Sequence, residues 1–279
     1  VADKRPLGWL PDWLLYLGVA ALLLWVVVGQ RENADAPAPP PPVPGEEAAP
    51  LDPESPFSAE ARRTPEPGPT ASGAAFSVSQ SGVWVTAGHV VRQCRRVVLM
   101  VAEGRGVAAS VVADPDSDLA ILTTDGGAPA IPIAEASEIE SGMRGFHVGF
   151  PRGRAGELTS RFVGRDTLPA ERRGKADQRV LAWAETGRTE GAEGALYGLS
   201  GAPVLDNVGR VVGVTVGEAP RRGRLYSTGP DAVRTLMAGV GAAPAPYVPR
   251  QLITTTNYGR AADDLRRSLS VAQVFCFRR

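Results

Sequence analysis

From residue 72 onward the chain is written in short apolar runs cut by Gly, Asp and Pro, and this spacing restricts the fold more than any other feature. Ala75-Phe76-Ser77-Val78 leads through Ser79-Gln80-Ser81-Gly82 into Val83-Trp84-Val85-Thr86. Runs over 96–101, 107–113 and 119–123 follow, and a second set occupies 145–150, 158–163, 180–184, 202–205 and 211–216. Short runs with turn signals at this regular spacing predict strands, and hence an all-β barrel or sandwich. Only 231–238 and 261–269 carry the polar spacing of helices, while 271–277 reads as extended. The stretch 124–142 forms a natural seam between two halves.

The amino-terminal part obeys different rules. Residues 13–29 are 17 consecutive uncharged and mostly apolar residues. At a rise of about 1.5 Å per residue they reach roughly 25 Å, near the lower limit for crossing a bilayer. Trp9, Trp13 and Tyr16 stand near one end and Trp25 near the other, as interfacial aromatics do. Lys4 and Arg5 precede the run and Arg31, Glu32 and Asp35 follow it, so the positive bias places residues 1–12 in the cytoplasm and the body outside it. A cleaved signal peptide competes with this transmembrane anchor, but its nearest small-x-small site, Ala34-Asp35-Ala36, is followed directly by Pro37. A buried core helix is the third reading.

Twelve of the 34 residues from 37 to 70 are proline, four of them consecutive at 39–42. Such a stretch buries too little apolar surface to fold and favours extended polyproline II. Residues 30–70 therefore read as a linker, able to hold a domain up to roughly 100 Å from a bilayer. A PxxP docking site is the alternative. Thirty basic residues offset 30 acidic ones, so no net field favours nucleic acid as a partner.

Serine chemistry is the one covalent chemistry for which the residues are present. A hydroxyl is a poor nucleophile at neutral pH and needs an adjacent base, commonly a histidine oriented by a carboxylate. The chain has two histidines. His89 follows a predicted strand in a Gly-bearing turn, where a side chain can be aimed into a cleft; His147 lies inside 145–149 and reads as a core or sheet-face histidine. Asp118 precedes the apolar Leu119-Ala120-Ile121-Leu122 and can meet an imidazole away from water, with Asp114 and Asp116 as competitors in the same turn. Ser200 stands between Gly198 and Gly201, glycines that let a backbone turn tightly and aim N–H groups at a developing oxyanion. Two separated histidines and two distant cysteines offer no ligand spacing for a metal, and no cofactor is called for.

Thr86-Ala87-Gly88-His89-Val90-Val91, Asp118-Leu119-Ala120-Ile121-Leu122, Gly198-x-Ser200-Gly201-x-Pro203-Val204 and Gly209-Arg210-Val211-Val212-Gly213-Val214 together resemble the trypsin-like peptidase family. The likeness is greatest to its bacterial HtrA/Deg branch and runs from about residue 72 to 237. It implies two packed six-stranded antiparallel β-barrels over residues 71–240, with His89 and Asp118 on the first and Ser200 on the second. It also implies an oxyanion hole made of the Gly198 and Ser200 backbone N–H groups. Around this domain the expected architecture is an amino-terminal transmembrane helix and a carboxy-terminal extension, 241–279, of short helix plus extended tail.

Three departures qualify the likeness. Leu199 replaces the Asp or Asn usual before the serine, so a freshly cut amino terminus has no carboxylate to join, and the loop from 186 to 198 has to order itself by other means. Gly194, six before the serine, offers no acidic floor to the primary pocket, although Glu193 is adjacent; with Val214 and Thr215 it suggests a pocket for a small or medium apolar side chain. Only 39 residues follow Val240, too few for the PDZ domain of the HtrA pattern. In an oxidising compartment Cys94 and Cys276 can pair, stapling the tail to the first barrel; two free thiols are the alternative.

The expected function is a single-pass bacterial inner-membrane serine endopeptidase, with its catalytic domain in the periplasm and protein or peptide substrates of the envelope. A protease-fold subunit that no longer cleaves, and binds an assembly partner through its carboxy-terminal tail, is the competing reading.

Overall fold

The computed structural model describes residue 13 and residues 16–22, 70–169, 177–189, 196–249 and 251–278. Its fold follows from twelve antiparallel strands that close into two six-stranded barrels. The first contains β1 (Thr70–Ser79), β2 (Val83–Ala87), β3 (Arg96–Ala102), β4 (Arg105–Ala113), β5 (Leu119–Thr123) and β12 (Val271–Phe277), in the order β1-β12-β3-β4-β5-β2. The second contains β6 (Arg144–Gly149), β7 (Gly156–Leu168), β8 (Gln178–Arg188), β9 (Pro203–Leu205), β10 (Val211–Ala219) and β11 (Arg224–Thr228), in the order β10-β11-β8-β7-β6-β9. Closure leaves no sheet edge open, which a sandwich of such short strands would not achieve.

Among the described residues from 70 onward, α-helices α1 (Gly88–Val91), α2 (Pro230–Gly239) and α3 (Tyr258–Arg267) accompany the strands. Phe76, Leu119 and Ile121 of the first barrel share one apolar cluster with Phe146 and Val211 of the second. Met237 of α2 and Tyr258 of α3 join the same cluster. The two barrels and the carboxy-terminal helices thus exclude water together.

The extended tail foreseen over 271–277 is a stave of the first barrel. β12 lies between β1 and β3, with Cys276 opposite Ala71 on one side and Val97 on the other. The first barrel therefore closes only when residues about 200 positions apart in sequence have met. Cys276, fully buried, is bridged to Cys94 just beyond α1, with their Cα atoms 5.3 Å apart.

Of the apolar run at 13–29, the described residues are Trp13 and 16–22; they are helical and exposed. No helix among the described residues is long and apolar enough to cross a membrane. The proline-rich linker lies outside the described residues up to Thr70, where β1 begins.

The bridge closes a loop of 182 residues, for which the chain-entropy model gives a stabilisation of about 5 kcal/mol. Cys94→Ser with Cys276→Ser is expected to lower the denaturation midpoint accordingly, measured by urea unfolding under non-reducing conditions. Thiol titration of the unfolded native protein should find no free thiol.

Candidate active site

His89 reaches its place because β2 ends in the single turn of α1. The Gly88 N–H donates to the Asp118 carbonyl at 2.9 Å, pinning α1 to the residue before β5. The Asp118 carboxylate then takes two bonds from His89: Oδ1 accepts the backbone N–H at 2.8 Å, and Oδ2 lies 2.6 Å from Nδ1. Asp118 is buried, so this charge is held away from water. A proton on Nδ1, donated to Oδ2, leaves Nε2 as the basic nitrogen. Nε2 is buried and makes no hydrogen bond among the described residues. Nucleophile–base hydrogen bonds are commonly long before substrate docks. Arg92 adds a contact that the sequence reading missed, its Nη2 lying 3.3 Å from Asp118 Oδ1.

Ser200 arrives from the second barrel. Its carbonyl accepts the Ala74 N–H of β1 at 2.8 Å, and Gly201 N–H donates to the Thr215 carbonyl of β10 at 2.8 Å. Gly201 has φ +85°, and a Cβ there would sit 2.1 Å from the Ala74 carbonyl and 2.4 Å from Thr86 Oγ1. Only glycine lets the Ser200 turn touch the β1–β2 hairpin from whose end His89 projects.

The turn before Ser200 is equally fixed. Leu199 N–H donates to the Leu196 carbonyl at 2.9 Å, and the Tyr197 carbonyl accepts from Arg152 N–H at 2.7 Å. In a trans peptide C=O and N–H point oppositely. Holding the Tyr197 carbonyl on Arg152 therefore turns the Gly198 N–H to the other side. Among the described residues, neither the Gly198 nor the Ser200 N–H donates to any group. Two donors of one turn, the serine's own N–H and that two residues before it, left without partners are the arrangement an oxyanion hole requires.

A family model for the trypsin-like peptidase domain matches residues 72–214. The chain belongs to the trypsin-like peptidase domain family. A protein of Synechocystis sp. named as a serine protease, HhoA, is 29% identical over 192 residues, covering 66% of this chain and 47% of its own. Mitochondrial serine protease HTRA2 of Bos taurus is 31% identical over 149 residues, covering 52% of this chain and 31% of its own. The chain thus spans half or less of the length of these relatives. Among solved structures, the active form of the M. tuberculosis protease Rv3671c is similar in fold, with a TM-score of 0.51 at 22% identity over 66% of this chain and 77% of that one.

The peptidase domain answers the question raised by Leu199. Its side chain is buried, packed with Trp183, Phe162 and Ala74 in an apolar cluster. Leu196 N–H, at the other end of the turn, is held by the carboxylate of buried Glu218 at 3.1 Å. Apolar packing and Glu218 take the structural part that an ion pair with a new amino terminus would play. Glu218 was invisible to the sequence reading because nothing local distinguishes it from any acidic residue near a strand end.

Other expected site residues fall elsewhere. Gly194 and Glu193 lie outside the described residues. Val214 is buried in the apolar cluster that joins the barrels, and Thr215 Oγ1 lies 3.0 Å from His147 Nδ1, so neither side chain is available to line a substrate pocket. Consecutive residues of β10 alternate faces, so Val214 packs into that cluster while Thr215 turns to the other side, onto His147. His147 is the core histidine foreseen: fully buried, it also meets Ser160 Oγ at 2.8 Å through Nε2 and stands edge-on to Trp183.

Burial pushes the pKa of His147 down to about 3 from 6.5. The native state keeps this imidazole neutral, so its contribution to stability is complete above about pH 6.5 and is lost as pH falls towards 3. Native stability at pH 5 is expected to lie about 2 kcal/mol below that at pH 8 through this group alone. Chemical denaturation across pH should show the slope, and His147→Gln should flatten it between pH 5 and 6.5.

Proposed function

We propose that this chain is a serine endopeptidase that cleaves peptide bonds through an acyl-enzyme on Ser200. The observation that carries this reading is the pairing of His89 with buried Asp118, 2.6 Å apart, on the hairpin that touches a serine turn in which the Gly198 and Ser200 N–H groups have no partner. Ser200 Oγ attacks the scissile carbonyl carbon while His89 Nε2 takes the hydroxyl proton. Asp118 keeps Nδ1 protonated and stabilises the imidazolium that forms. The carbonyl oxygen, now negative, is received by the N–H groups of Gly198 and Ser200. As the carbon–nitrogen bond breaks, His89 delivers its proton to the leaving amine. Water then repeats the sequence in place of Ser200, releasing the acid and restoring the hydroxyl.

Membrane anchoring belongs to the same proposal. The support is in the sequence: an uncharged run of 17 residues, aromatics towards its ends, basic residues before it and a proline-rich spacer after it. This arrangement tethers the peptidase domain on the periplasmic face of a bacterial inner membrane, where a disulfide between Cys94 and Cys276 is stable. The substrates would be proteins or peptides of the envelope.

A fluorophosphonate probe tests the chemistry. The folded native protein should be labelled, Ser200→Ala should not be, and Asp118→Asn should react at least about 100-fold more slowly, since the imidazole then holds the wrong tautomer. Labelling that persists in folded Ser200→Ala, or a folded native protein that never reacts, would contradict the proposal and leave a binding subunit on a peptidase fold.

A further inference from the structure

The segment between β6 and β7, residues 150–155, carries the oxyanion turn. Arg152 N–H holds the Tyr197 carbonyl at 2.7 Å, and the Phe150 carbonyl lies 2.4 Å from where a Gly198 Cβ would be. This segment is not relaxed by itself. Arg152 has φ +55°, an unfavourable angle for a residue with a side chain. Conformations of that kind persist where the surroundings over-determine them.

The surroundings that do so come from the carboxy-terminal part of the chain. Arg266 of α3 is nine-tenths buried. Its Nη2 donates to the Gly149 carbonyl at 3.2 Å, the Gly156 carbonyl at 2.7 Å and Glu157 Oε2 at 2.5 Å. Gly149 ends β6 and Gly156 begins β7, so one guanidinium bridges the two feet of the segment. Its carbon lies 5.7 Å from the centre of the Phe150 ring, and Nη1 is tied back to Asp263 at 2.9 Å. Gln273 of β12 adds a weaker bond to the Gly153 carbonyl at 3.4 Å. All of these holding residues lie beyond the stretch 72–214 that matches the family.

We infer that Arg266 is a positioning residue for the oxyanion hole. It clamps the β6–β7 segment so that Arg152 keeps the Tyr197 carbonyl turned away and the Gly198 N–H turned towards the substrate carbonyl. The carboxy-terminal helix is thereby part of the catalytic apparatus, although it touches no reacting atom. A lysine cannot reproduce the set: its single ammonium has no second nitrogen to be anchored by Asp263 while the first holds both feet, and no plane to lie over Phe150.

This inference rests on the serine-peptidase reading, and the test separates the two. The full chain is compared with Arg266→Lys and Arg266→Met, each checked for native circular dichroism and an intact disulfide. Three quantities are measured: kcat and KM on a peptide substrate, the fluorophosphonate labelling rate, and the affinity of a peptide boronic acid, whose tetrahedral adduct places an oxygen in the hole. Because deleting one oxyanion donor lowers kcat by about 10²–10³, a donor that is misaimed should lower it by at least roughly tenfold. KM should stay within about twofold, while labelling rate and boronate affinity fall in step with kcat. In Arg266→Met, millimolar guanidinium should restore part of the labelling rate. If Arg266→Met does not fold, Arg266→Lys supplies the same comparison. Unchanged kcat in either folded variant, or a loss confined to KM, overturns the inference. A native protein that never labels overturns the peptidase reading instead.

Discussion

The structure depends on one contact between its two halves, where the Ser200–Gly201 backbone lies against the β1–β2 hairpin. Ala74 N–H donates to the Ser200 carbonyl at 2.8 Å, and the missing side chain of Gly201 leaves room for the Ala74 carbonyl and the Thr86 hydroxyl. β2 runs directly into the turn that carries His89. The serine of one barrel and the histidine of the other are therefore referred to the same piece of backbone. A side chain at 201 would push the Ser200 turn off the hairpin that leads to His89.

Around this contact, three supports converge on the turn from 196 to 201. Strand β10 binds Gly201 through Thr215, whose hydroxyl is fixed in turn by buried His147. Glu218 holds Leu196, and the β6–β7 segment holds Tyr197. Leu199 supplies apolar packing in the middle. In a low-dielectric site, donors held ready before the reaction are worth more than donors that must reorganise during it. The burial of polar groups such as His147 and Glu218 serves this rigidity, and each is hydrogen-bonded as burial demands.

Much of this was legible in the sequence. Strand spacing announced an all-β fold, and the fragments around His89 and Asp118 marked two side chains that the fold pairs, because local turn chemistry is written in local residues. Long-range geometry was not legible. β11, five residues next to charged ones, escaped notice since so short a run has little periodicity. The place of β12 within the first barrel depends on pairing across nearly the whole domain, which no local pattern encodes. Val214 and Thr215 were expected beside a pocket, but both are buried, the first in the apolar cluster between the barrels and the second against His147, surroundings that only the closed barrel creates. Arg92, Glu218 and Arg266 acquire significance only from what the fold brings beside them.

The central claim is that Ser200 reacts with its oxyanion held between two preset N–H groups. A crystal structure of the protein inactivated by a fluorophosphonate tests it most directly. The account predicts phosphorus bonded to Ser200 Oγ and a phosphoryl oxygen within about 2.7–3.1 Å of both the Gly198 and Ser200 nitrogens. It also predicts a Tyr197 carbonyl still on Arg152 and a His89 ring still on Asp118. An adduct on another residue would contradict the account, as would a phosphoryl oxygen facing solvent with the Tyr197–Gly198 peptide turned over.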